Sequence, residues 1–258
     1  MSRVIAIAVH TFKESVREKV LYNLVVFALL LIGAGILLGS ISIGASRILL
    51  VNLSLSAISV FGLLMAVFIG ISLVWKEIER RTLYNILAKP VARAEFILGK
   101  YLGLLLTLTI NTGIMTAGFY VALYYEQRHL GREDLAPLEA IYFILLQFAL
   151  AVGLALLFST LSTPVLSAVF TFSLYAIGNL LQDLRGFGQE SGNAVLRPVL
   201  RWLSYALPDF GAFNVISQAA HGELLPGYRL VSSSLYALLY VTVLVSAAIL
   251  IFEEREFR

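Results

Sequence analysis

Six long apolar runs, separated by shorter polar stretches, constrain this chain more than any other feature. They lie at about 21–43, 53–75, 96–124, 138–160, 164–182 and 230–252. Each is long enough to cross a hydrocarbon core of roughly 30 Å at about 1.5 Å per helical residue. Hydrocarbon offers no partner to a bare N–H or C=O, so a run of this kind has to satisfy its own backbone as an α-helix. The expected fold is an all-α integral membrane protein with six transmembrane helices, forming a single domain over 1–258. Composition agrees: 59% of the residues are hydrophobic, 14% are charged and the mean hydropathy is +0.88, far above the range of a soluble domain. The first run follows a charged lead of 20 residues and outlasts a signal-peptide core, so it is read as a retained span.

The 19 Lys and Arg side chains sort by segment. Twelve fall in the N-terminal lead, the 76–100 segment and the C-terminal tail; seven fall in the alternating segments, four of them in the long stretch 183–229. By the positive-inside rule both termini and the 76–100 segment face the cytoplasm of a multi-pass plasma-membrane protein, the bacterial inner membrane on this reading. The bases gather at the ends of apolar runs and form no exposed stripe, so the net charge of +3 does not point to nucleic acid.

Catalytic constellations are missing. Without cysteine there is no disulfide, thiolate metal site or cysteine nucleophile. His10, His129 and His221 stand far apart outside the spans, with no HExxH and no His/carboxylate spacing suited to a metal. No serine sits in a G-x-S-x-G context, and the Gly99–Lys100 pair lacks the glycine-rich loop of a phosphate cradle. The expectation is no enzyme, no metal and no cofactor in this chain. If ATP drives it, another chain binds the nucleotide.

The lead "SRVIAIAVHTFKESVREKV" is amphipathic. Val4, Ile5, Ala8, Val9, Phe12, Val16 and Val20 recur at helical spacing, with Lys13, Glu14, Arg17 and Glu18 opposite, which suits a helix over 1–20 lying among lipid headgroups. Within the spans, Gly35 and Gly39, then Gly62, Ala66 and Gly70, fall four apart and form flat strips for close helix approach. Asn111 and Gln147 lie near the middles of the third and fourth spans. They either hydrogen-bond each other across neighbouring helices or line a translocation path. No ionisable side chain sits at the centre of any run, which argues against a carrier built on an intramembrane proton relay.

Against this background, "WKEIERRTLYNILAKPVARAEFILGKYLG" (75–103) stands out: nine of the chain's charged side chains crowd between two spans. On a helical wheel Trp75, Ile78, Thr82, Leu83 and Ile86 share one arc, with Glu77, Arg80, Arg81 and Tyr84 opposite and Glu79 at the border. Pro90 ends this two-faced helix, and the chain restarts with Arg93 and Glu95. Such a helix, held at the cytoplasmic ends of two spans, is shaped to receive a push from a soluble partner. Across the membrane, 183–229 is too long for a turn. Its Val195, Leu196, Val199, Leu200 and Leu203 predict a further surface helix, able to gate an exit or receive a periplasmic partner.

The charged segment resembles the coupling segment of ABC-2 type transporter permeases: an acidic pair, a Thr-Leu, a leucine-rich turn, Pro-Val-x-Arg, then Gly-Lys opening the next span. Here these are Glu77 and Glu79, Thr82 and Leu83, Leu87, Pro90, Val91 and Arg93, then Gly99 and Lys100. Arg81 stands where many members have glycine, a departure similar to the branch associated with multi-copper enzyme maturation. The order of parts extends the resemblance over the whole chain, including "LPDFGAFNV" (207–215) ahead of the last span. The resemblance implies a permease subunit paired with a second permease copy, identical or related, and with separate ABC ATPase subunits that bind ATP and magnesium. The coupling segment 76–95 would seat on the ATPase through Glu77, Glu79, Arg80, Arg81, Thr82, Leu83, Leu87, Pro90 and Arg93. The "STLSTP" turn (159–164) would add a smaller contact. An exporter is the first reading. An ABC-coupled machine that transmits motion to an extracytoplasmic assembly or metalloenzyme maturation partner is the alternative, and an ATP-independent structural membrane protein the second alternative.

Overall fold

A computed structural model describes residues 2–41, 45–79, 92–129, 131–190 and 207–254. All regular structure among them is helical. In chain order the helices are α1 (Ser2–Val16), α2 (Lys19–Ile41), α3 (Ser46–Glu79), α4 (Arg93–Gln127), α5 (Ala136–Leu161), α6 (Pro164–Glu190), the short α7 (Ile216–Ala220) and α8 (Gly227–Glu254), with 3-10 turns at Arg132–Leu135 and Gly211–Phe213. Six of them, α2 to α6 and α8, are long and apolar enough to cross a membrane. The chain is thus an all-α, multi-pass membrane protein.

Alternation of the spans gives the molecule two ends. The near end gathers the tail of α3, the start of α4, the turn between α5 and α6 and the close of α8. The far end gathers the α2–α3 turn, residues 127–136 and residues 207–227. In the middle stand α3 and α5, which bury 72% and 67% of their spans, whereas α2, α6 and α8 bury only 28%, 22% and 22%. An outer face left apolar is what hydrocarbon requires of a surrounding span.

Small residues set how closely the central helices meet. A Cβ on Gly62 would lie 2.1 Å from the Phe148 ring, so this α5 side chain seats in the gap that α3 leaves for it. Gly70 meets Ala155 about two turns further along α5, and Ala66 between them is buried. Gly35 and Gly39 instead receive Leu50 and Ser46, closing the α2–α3 hairpin. With lipid on all sides there is little hydrophobic drive between helices, and van der Waals contact of this kind holds them together. Aromatic pairs fasten α6: Phe68 meets Phe172 edge-on at 5.9 Å between ring centroids, and Phe158 meets Phe170 at 5.5 Å.

The element boundaries follow backbone chemistry. Ser162 is extended, and Pro164, which needs no N–H partner at a first helical position, starts α6. Ser162 and Ser167 share a hydroxyl contact of 2.9 Å, and both donate to the Phe158 carbonyl, stapling the turn. In α1 the stripe that packs inward is small and polar: Thr11 and Ser15 are fully buried against α4, while Ile5 and Val9 face outward. The apolar face expected from the sequence is therefore divided between protein and lipid. The surface helix expected around 195–203 lies outside the described residues.

Candidate coupling site

Helix α3 does not stop where its apolar run stops. It continues as helix from Ser46 to Glu79, carrying the backbone of Glu77 and Glu79 beyond Trp75. Residues 80–91, which hold Arg80, Arg81, Thr82, Leu83, Leu87 and Pro90, lie outside the described residues. The chain resumes at Ala92, whose N–H donates to the Glu95 carboxylate at 3.2 Å, supporting the first turn of α4.

Arg93 opens α4 and reaches across to the last helix. Its Nη1 donates to the Phe252 carbonyl at 3.0 Å and to the Glu253 carbonyl at 2.6 Å. These carbonyls lie in the last turn of α8 and carry the negative end of its dipole, so a guanidinium is well matched to them. One turn along, Phe96 stacks on Phe252 at 5.8 Å between ring centroids. The segment read from sequence as an ATPase contact is thus tied at its C-terminal side to the last span.

A second attachment joins α4 to α1. Arg3 approaches Glu95 at 4.0 Å, Ile7 covers Gly99 and Thr11 covers Gly103. Each step advances four residues on both helices, so α1 runs alongside the first turns of α4 in the same direction. A Cβ on Gly99 would lie 2.6 Å from Ile7 Cβ, and one on Gly103 would lie 2.6 Å from both the Ala8 carbonyl and Thr11 Cβ. Lys100, between the glycines, is 1% exposed; its Nζ meets the Glu14 carboxylate at 3.5 Å and lies 5.7 Å from the Phe96 ring centre. The Gly-Lys pair that opens the third span therefore seats a helix, and its lysine charge is answered by that helix.

Of the two readings left open for the mid-span amides, the mutual bond is not the one the fold makes. Asn111 Nδ2 donates to the Thr107 carbonyl of its own helix at 2.8 Å. Gln147 Nε2 donates to the Phe210 carbonyl at 3.1 Å. Both side chains are buried. The reason is a competing acceptor: residues 207–215 fold back among the far halves of α5, α6 and α8. Phe210 and Phe213 are fully buried there, and Gly178 of α6 gives way to the loop, since its Cβ would lie 2.5 Å from the Pro208 carbonyl. Irregular backbone at such depth needs partners. Tyr236 Oη accepts the Asp209 N–H at 2.9 Å, Tyr240 Oη donates to the Leu207 carbonyl at 3.3 Å, and the Asp209 carboxylate accepts the Ala212 N–H at 3.0 Å.

The far end carries a clasp that sequence reading passed over. Arg47, at the start of α3, donates from Nε and Nη2 to Asp134 Oδ1 at 3.3 and 3.1 Å, from Nη1 to the Ala220 carbonyl at 2.9 Å and from Nη2 to the Glu133 carbonyl at 3.1 Å. The other Asp134 oxygen accepts the Gly131 N–H at 2.7 Å, and Tyr120 Oη donates to the Asp134 carbonyl at 2.7 Å. One guanidinium thereby joins three chain segments. Among the described residues no three His, Asp or Glu side chains gather where they could hold a metal ion.

The family model for ABC-2 family transporter proteins matches residues 5–257. The chain belongs to the ABC-2 transporter family. This ABC-2 permease carries its family's signature over its full helical body, from α1 to the close of α8, and is the membrane permease subunit of an ABC transporter. Members of the family work with ABC ATPase subunits. No curated protein matches the chain. An apolar cleft of about 330 Å³ lies between the permease's α3 and α6 at the near end, lined by Phe68, Ile71, Ser72, Pro164, Val165 and Val169 among others.

Proposed function

We propose that the permease is the membrane subunit of an ABC exporter, with both termini and the 76–95 segment in the cytoplasm. Segment 76–89 is the coupling helix. It seats on a separate ATPase subunit, which binds ATP and magnesium, and a second permease copy completes the path.

The observation that supports this reading most is how the segment is mounted. On one side it continues α3, the most enclosed span, without a break in the helix through Glu79. On the other it enters α4, which Arg93 ties to α8 and Gly99, Lys100 and Gly103 tie to α1. A push on the segment therefore reaches four helices as one body, and rigid-body displacement of this kind is how closure of one domain changes access in another. The far-end loop 207–215, held by Gln147 and the two tyrosines, packs at the end read as extracytoplasmic. The cargo we propose is apolar or amphipathic, with support from the almost wholly apolar cleft beside α6.

The experiment is reconstitution. The permease, purified with its ATPase subunits, should assemble as two permeases and two ATPases and move an amphipathic cargo across liposomes only when ATP is hydrolysed. A permease that purifies without any ATPase, and whose liposomes respond to nothing on the nucleotide side, contradicts the reading.

A further inference from the structure

Helix α1 presents three faces. At about 100° per residue, Val4, Ala8, Thr11 and Ser15 share the side packed on α4. A second sector, about 110° away, holds Ile5, Val9, Phe12 and Val16, of which Ile5 is 59% exposed. The third sector holds Ala6, His10 and Lys13, all exposed; Arg17 in the turn after α1 and Lys19 at the start of α2 follow them, also exposed.

Charge is divided between these faces. Both acids of the lead, Glu14 and Glu18, are half-buried on the border toward the protein, where Glu14 answers Lys100. Arg3 lies near the same border, against Glu95. What α1 turns outward beside its apolar sector is thus basic. A plain amphipathic anchor needs only two environments. A helix with a protein face, an apolar face and a basic face fits a position where protein, hydrocarbon and anionic headgroups meet.

We propose that the third sector of α1, with Lys13, Arg17 and Lys19, binds the anionic phospholipid headgroups of the cytoplasmic leaflet. The proposal rests on the cytoplasmic placement of the N-terminus given above. Its consequence is mechanical. Because Gly99, Gly103 and Lys100 lock α1 to α4, headgroups that hold α1 also keep the near end of α4 at the membrane surface, and the body that the coupling segment displaces moves along that surface.

The cysteine-free chain allows a direct test. A fluorophore on Ala6→Cys, in the full-length permease in nanodiscs, is quenched by phosphatidylglycerol carrying a headgroup nitroxide and, separately, by phosphatidylcholine carrying the same group. Each base near an anionic surface enriches anionic lipid about fivefold, so preferential quenching by phosphatidylglycerol of about fivefold or more is expected. Raising the salt should weaken it, because the exposed charges are screened. The preference should fall to about one in Lys13→Gln/Arg17→Gln/Lys19→Gln and persist in Lys13→Arg/Arg17→Lys/Lys19→Arg. Equal quenching by the two lipids, or a preference that survives both neutralisation and salt, overturns the proposal. So does equal quenching joined to loss of ATPase copurification on neutralisation, which would assign the face to the soluble partner. Should the neutral variant not fold, the salt titration of the Ala6→Cys protein decides alone. Labelling the same cysteine with an impermeant reagent separates the two premises: modification from outside refutes the topology, whereas equal quenching with modification from the cytoplasmic side refutes the lipid site only.

Discussion

Replacing Arg47 by Met removes the guanidinium while keeping an unbranched, apolar side chain. Four hydrogen bonds disappear, two of them to the carboxylate of Asp134. Asp134 is 3% exposed, and Arg47 itself only 18%. Breaking a buried ion pair from one side costs about 3–5 kcal/mol, because the remaining charge is left without compensation. Asp134 keeps the Gly131 N–H, and the arginine is not wholly buried, so about 3 kcal/mol is expected here. Asp134→Asn retains a neutral acceptor and should cost about 1–2 kcal/mol. The double variant tests the cause. If the unpaired carboxylate dominates, removing its charge relieves most of the penalty, and the two substitutions should couple by about 2 kcal/mol. Reversible unfolding in mixed micelles measures all four corners of this cycle. Additivity within about 0.5 kcal/mol would refute the clasp as an electrostatic unit and leave Arg47 a packing residue.

Two further expectations concern the helix seat and the far-end loop. Gly103→Val places a side chain against the α1 backbone and should cost about 1–3 kcal/mol, making a cysteine at the fully buried Thr11 reactive to thiol reagents; Gly113→Val, which meets open space on the same helix, should do neither. Gln147→Leu removes the side-chain donor to the Phe210 carbonyl, which keeps the Phe213 N–H, and should cost about 1 kcal/mol, with a cysteine at Ala212 labelled several-fold faster; unchanged labelling would show that the tyrosines and the two phenylalanines hold the loop without the amide.

The spans were legible because lipid imposes one requirement, an apolar run of sufficient length, and that requirement is written residue by residue. Where they end was less so. The apolar run of α3 fails near Trp75, yet helix persists to Glu79, and α6 outlasts its run to Glu190, because a helical backbone satisfies itself regardless of side-chain polarity. The start of α6 follows from Pro164, which acts locally. The amides' partners were not legible, because nothing in the periodicity of α4 or α5 shows that residues 207–215 fold back to bring the Phe210 carbonyl to Gln147. The small-residue strips were seen, but not that Gly62 opposes a phenylalanine. Arg47 and Asp134 escaped notice because a lone charge near the start of a span reads as topology, and only the fold brings them together. In the lead, hydrophobic spacing showed two faces, whereas packing on Gly99 and Gly103 shows three. The charged segment pointed to the ABC-2 family, and the match over residues 5–257 bears that out. The multi-copper maturation branch drawn from Arg81 has no support in that match.

The central claim is that the 76–89 segment receives the work of ATP hydrolysis, and Leu83 tests it most directly. An aspartate there puts an unpaired carboxylate into a contact expected to be apolar, a penalty of about 2–4 kcal/mol in docking, at a sequence position between two apolar runs. ATP hydrolysis and transport are measured together in proteoliposomes of the complex. The account predicts that Leu83→Asp inserts and folds normally, with ATPase subunits lost on purification or hydrolysing ATP without transport. Full assembly with undiminished, ATP-driven transport would contradict it, and would make the segment a charged loop that serves topology alone.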